Sequence, residues 1–132
     1  MTQEYGLKTT LNIPYETAIE QATAALKAEG FGVLTEIDVK ATLKKKLDVD
    51  FRRYMILGAC NPNLAHQALQ TELDLGLLLP CNVIVYENDE GQSVVSIIDP
   101  IMMMGVIENE ALSLVANEAK ARLQRVIAAL NN

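Results

Sequence analysis

At 132 residues, half of them apolar, the chain is long enough to bury a core without disulfides or metals, and it suits one domain over residues 1–132. A formal charge of −6 argues against binding a phosphate backbone, which needs a positive surface to release counterions, so no nucleic acid is expected as a partner. MTQEYGLKTTL lacks a basic segment followed by an apolar run, no stretch reaches the ~18 apolar residues of a membrane span, and two cysteines are too few for a secreted disulfide scaffold. The expectation is a soluble, cytoplasmic protein with reduced thiols and no membrane partner.

Residues Gly6 to Leu11 place Leu7, Thr9 and Leu11 on one face, a period of two that predicts a first strand. Pro14 suits the first turn of a helix, and Tyr15, Ala18, Ile19, Ala22, Ala25 and Leu26 continue it at helical spacing to Glu29, with Gly30 as the left-handed cap. Phe31 to Val39 alternates, with Phe31, Val33, Thr35, Ile37 and Val39 on one side and Leu34, Glu36 and Asp38 on the other, a half-buried strand with an acidic outer edge. Ala41 to Asp50 reads as a solvated turn or short helix. Lys40, Lys44, Lys45, Lys46, Arg52 and Arg53 gather around it, which leaves open a docking patch for an anionic partner.

Arg53 to Cys60 is apolar on both faces and should be a central strand. Asn61 fits an N-cap and Pro62 the first helical position, with Asn63 as a second candidate cap; Leu64, Ala65, Ala68, Leu69 and Leu73 then form a buried stripe ending at Gly76. Cys81 to Glu87 has strand composition, and Asn88 to Gly91 folds it back onto Ser93 to Ile98. Asp99-Pro100 breaks the chain before the run Ile101 to Met104. Glu108 to Leu130 shows Leu112, Val115, Ala119, Leu123, Val126, Ile127 and Leu130 at helical spacing, a rod of roughly 33 Å with acids at its favoured start. The order β-α-β-β-α-β-β-α predicts an α+β fold with a largely antiparallel five-stranded sheet packed by helices.

Candidate chemistry centres on Cys60 and Cys81, each followed by an asparagine. Cys60 precedes a helix N-terminus, where amide donors and the dipole favour a thiolate, although cysteine is equally at home as a small buried apolar side chain. If the strands that carry them are antiparallel neighbours, the two cysteines share one end of the sheet, and Cys81 could resolve a reaction begun at Cys60. Asn61 and Asn82 stand beside them as candidate binding groups. His66 is turned outward by the stripe of its own helix, and two thiolates alone make no metal site, so neither metal nor cofactor is expected. Glu36 and Asp38 share a strand face, and Asp99 precedes a turn. Paired carboxylates perform acid-base work where burial raises one of them, and otherwise are solvated strand ends. Met102, Met103 and Met104 suit an adaptable contact surface or burial beneath the last helix. There is no serine-histidine pairing, glycine-rich phosphate loop or metalloprotease motif.

FGVLTEIDV, ATLKKKL, YMILGACNP, LGLLLPCNV and IIDP, in this order and over nearly the whole chain, resemble the domain of unknown function 302 family. The resemblance implies a curved antiparallel sheet with a long C-terminal helix, akin to the TATA-binding-protein-like arrangement, and a homodimer. It implies no activity. The leading expectation is a non-enzymatic homodimeric binding or accessory module for a small apolar ligand or a protein partner. The alternative is a thiol-dependent redox or sulfur-transfer protein using Cys60 and Cys81.

Overall fold

The computed structural model describes residues 4–132, so Met1 to Gln3 of the N-terminal segment lie outside it. Five strands, β1 Gly6–Leu11, β2 Gly32–Asp38, β3 Tyr54–Cys60, β4 Cys81–Glu87 and β5 Ser93–Ile98, form one antiparallel sheet in the order β1-β5-β4-β3-β2. The expected α+β architecture is therefore what the chain adopts. The three strands β3, β4 and β5 pair in succession, while β1 and β2 close the two edges. Helix α1, Tyr15–Ala28, carries the chain from one edge to the other and packs on β2, β4, β5 and the last helix on its way.

Strand alternation separates two faces. Leu57, Ala59, Cys81, Val83, Val85, Val95 and Ile97 point toward α1, α3 (Pro62–Thr71) and α5 (Ser113–Leu130), and all are buried. Ala18, Ala22, Leu26, Leu123 and Val126 complete this core from the helix side. Small residues on α1 let it lie close to both the sheet and α5. The opposite face, carrying Ile56, Ile84, Tyr54 and Tyr86, is left open by α1, α3 and α5.

Helix ends follow local chemistry. Asn61 caps α3 by accepting from Leu64 N–H at 3.1 Å, and Gly30, at φ +85°, turns the chain out of α1. At the β4–β5 hairpin the Asn88 side chain accepts from the N–H groups of Glu90 and Gln92 while Gly91 takes φ +76°.

Several boundaries differ from expectation. The second strand stops at Asp38, whose carboxylate accepts from Ala41 N–H at 2.9 Å, so Val39 opens a short helix, α2 Val39–Leu47. Leu34 is an extra residue between the paired Val33–Ala59 and Thr35–Gly58, a bulge that sends Thr35 and Ile37 to the face opposite Val33 and leaves Leu34 and Ile37 exposed. The single alternating pattern read through Phe31 to Val39 is thus broken in two. Helix α3 ends at Thr71, not Gly76; Leu73–Leu78 is a 3-10 turn in which Leu75 is buried and Leu73 is 82% exposed. The run of leucines there offers more apolar positions than one helical stripe can bury. Glu110–Leu112 is likewise a 3-10 turn, capped by Asn109, so α5 begins at Ser113 and spans about 27 Å. Between β5 and α5, Pro100–Met104 forms the one-turn helix α4.

Candidate functional site

The sheet rim where β3 ends and β4 begins carries both cysteines. Ala59 lies opposite Cys81 in the antiparallel register, so Cys60 and Cys81 sit at the same end of neighbouring strands. Their parity differs, however. Cys81 shares a face with Val83 and Val85 and is buried under the helices, whereas Cys60 has the parity of Gly58 and is half-buried, although it still borders the same small cavity as Cys81. Both are free thiols, and the expected cooperating pair is not formed.

The electrostatics oppose a thiolate at either position. Burial alone pushes the Cys60 thiol above its ordinary value. Cys81 is pushed up to about 11, first by burial and then by Cys60 itself. Among the described residues no cation lowers either value, and at the start of α3 the Leu64 N–H is taken by the Asn61 side chain. The cavity bordered by Phe31, Ala59, Leu64, Ala68 and Cys81 measures about 30 Å³, room for a water or two at ~10–15 Å³ each and nothing larger.

The remaining candidates are dispersed. Asn61 is buried and spent on its cap, while Asn82 is exposed opposite Gly58 on the bare face. Glu36 and Asp38 are exposed on the edge strand opposite Leu57 and Met55, and Asp38 is committed to α2. Asp99 follows β5 at the same rim as the cysteines, where its carboxylate caps α4 through Ile101 N–H and takes Lys120 Nζ at 2.9 Å. His66 is exposed, and no three metal-ligating side chains gather among the described residues. Met103 and Met104 are buried against α5 and Met102 is half-buried.

The feature missed in the sequence is the bare sheet face. Tyr54 on β3 and Tyr86 on β4 are paired in register, and their rings stack at 5.3 Å between centroids and 8° between planes. Phe51 tilts against Tyr54 at 6.2 Å. Burial raises the Tyr54 phenol, as do Tyr86 and Tyr5, so the hydroxyl stays a neutral donor. Beside this stack lies a groove of about 880 Å³, floored by Ile84, Tyr54 and Tyr86 and walled by Glu4, Tyr5, Lys8, Thr10 and Ser96. Lys8 makes no ion pair among the described residues. The sequence signal was present in the alternation of Tyr54, Ile56, Ile84 and Tyr86, yet a central strand apolar on both sides does not reveal which side a helix will leave uncovered.

These features define a two-layer α+β protein with helices on one side of an antiparallel sheet and an aromatic-floored groove on the other. The chain belongs to the family described as domain of unknown function DUF302, whose sequence profile matches residues 7–130. Among solved structures it is similar to an uncharacterized conserved protein DUF302 from Bacillus stearothermophilus, at 30% identity and a TM-score of 0.88, over 96% of this chain and 98% of that one. No curated protein matches it. No helix among the described residues is long and apolar enough to cross a membrane.

Proposed function

We propose that this protein is a non-enzymatic, homodimeric binding module whose ligand seats in the groove on the bare face of the sheet. The observation that carries the reading is the groove itself: about 880 Å³ is within the usual range for small-molecule sites, and an aromatic and apolar floor meets a polar wall that includes Glu4, Lys8, Thr10 and Ser96. Ile84 and the Tyr54–Tyr86 stack offer a flat apolar surface, and Lys8 with the Ser96 hydroxyl offers an anchor for an acidic group at its edge. The ligand class that fits is a planar apolar body bearing a carboxylate. A second copy laid face to face would roof the groove and shield Ile37, Ile56 and Ile84. The raised thiols of Cys60 and Cys81 favour this reading over thiol chemistry.

Titration of isotope-labelled protein with 2-naphthoate tests it. The expected result is saturable shifts of the Lys8, Ile84, Tyr86 and Ser96 amides that are lost in Tyr86→Ala. Shifts confined to other residues, or none at millimolar probe, would remove the proposal.

A further inference from the structure

A second surface, at the rim opposite α2, is apolar and acidic and is covered by none of the described residues. The 3-10 turn Leu73–Leu78 packs on α4, and α4 packs on α5, which brings three helical segments to one end of the molecule. Leu77 there is 88% exposed and Leu114 81%, and Val106 and Ile101 are exposed between them. A cleft of about 430 Å³ opens among these segments, lined by Ile101, Met104, Ile107, Leu112 and Ala116. Exposed apolar area of this kind, rimmed by charge, marks a contact surface.

The charge at the rim selects the partner. No lysine or arginine occurs between Arg53 and Lys120, and Lys120 is already bound to Asp99. Glu108 and Glu110 line the cleft and Glu72 and Asp74 lie on the adjoining turn; none of the four has an ion pair among the described residues. Anionic lipid surfaces are therefore repelled. The surrounding segments are helical and present no free strand edge, so an incoming chain must satisfy its own backbone, as a helix does. Buried Met104 adds a flexible wall that adapts to the side chains inserted.

We infer that this end of the molecule docks a cationic amphipathic helix of a protein partner, whose apolar anchors enter the cleft while its lysines or arginines face Glu72, Asp74, Glu108 and Glu110. This surface is independent of the sheet groove, and either can fail without the other. A second copy is the weaker occupant. Its α2 is basic, but Lys44 is held by Asp48 and Asp50, and Leu47 is the one large apolar side chain it exposes.

Fluorescence anisotropy with a designed helical peptide, leucines on one face and lysines on the other, tests the inference. The full chain should bind it saturably and at least about tenfold more tightly than a scrambled peptide of the same composition. Val106→Asp and Leu114→Asp, both at exposed positions, should each weaken binding about tenfold or more with unchanged melting curves. Glu108→Gln with Glu110→Gln should weaken it and flatten its salt dependence. Equal binding of the scrambled peptide, or indifference to these four substitutions, would overturn the inference. Self-association of the wild type through this end, lost in Lys45→Glu with Lys46→Glu, would reassign the surface to a second copy.

Discussion

Strand parity and burial decide what surrounds each cysteine. Antiparallel pairing of β3 and β4 brings them to one rim, but the alternation of side chains along a strand is finer than the spacing of the motifs and turns them apart. Their raised values make two expectations. At neutral pH, iodoacetamide should alkylate Cys60 more slowly than a free cysteine, with the rate climbing only above the ordinary thiol range; rapid alkylation at pH 7 would restore the thiol reading. For Cys81 the neutral form is favoured in the folded state, so its contribution to stability is complete below the ordinary value of 9.0 and is lost as the pH rises toward about 11. That loss is roughly 3 kcal/mol over the window. Cys81→Ala should start less stable but decline less steeply between those pH values in urea titrations. Tyr15, pushed up to about 12 mainly by burial, adds its own decline in both proteins and cancels in the difference. Gly58 is a tighter constraint. A Cβ there would collide with Thr35 Oγ1 and stand 2.8 Å from Pro80 Cγ, so Gly58→Ala should lower stability by about 1–3 kcal/mol, read from chemical denaturation.

Among elements, those with a long uniform period were legible and those set by one or two side chains were not. Helix α1 and the strands β3 to β5 follow directly from their periods and caps, because many apolar positions vote for the same answer. The end of α3, the bulge at Leu34 and the start of α5 depend instead on which leucine finds room in the core. Leu75 does and Leu73 does not, and nothing in their spacing distinguishes them. The bulge also twists the exposed β2 edge, which discourages pairing with another chain. Two side chains hold the junctions. Asn61→Ala should cost about 1–2 kcal/mol through the lost cap of α3, since the cap is buried. Asp99 ties α4 to α5 through Ile101 N–H and Lys120 at once, and removing it leaves a half-buried ammonium unpaired. Asp99→Ala should therefore cost about 3 kcal/mol and free the one-turn helix, seen as faster amide exchange at Met103.

For the molecule as a whole, the sequence carries the strand count and antiparallel character, but not the sheet order or the uncovered face. Order depends on where β1 returns, and β1 pairs with β5, from Gly6↔Ile98 to Leu11↔Ser93, across most of the chain. The uncovered face is what makes association a quantitative matter. Five strands at about 4.8 Å spacing and about 3.4 Å per residue give a face of roughly 24 by 23 Å, so two copies face to face remove somewhat more than ~1,000 Å² from water once side-chain relief is included. That is at the lower bound of a stable contact, and its centre is Ile56 and Ile84, directly opposed on β3 and β4. A lysine at position 84 is tolerated in a monomer, because its stem lies along the apolar floor and its ammonium reaches water. Within the interface the same charge would be buried without a partner. Sedimentation equilibrium should therefore give a dimer for the wild type and a monomer for Ile84→Lys, with closely similar melting curves at low concentration. Because the proposed contact is apolar at its centre, added salt should leave such a dimer intact, in contrast to the salt sensitivity expected of helix docking at the acidic end. A wild-type monomer at all concentrations would remove the dimer, and an Ile84→Lys dimer as tight as the wild type would move the interface to another surface.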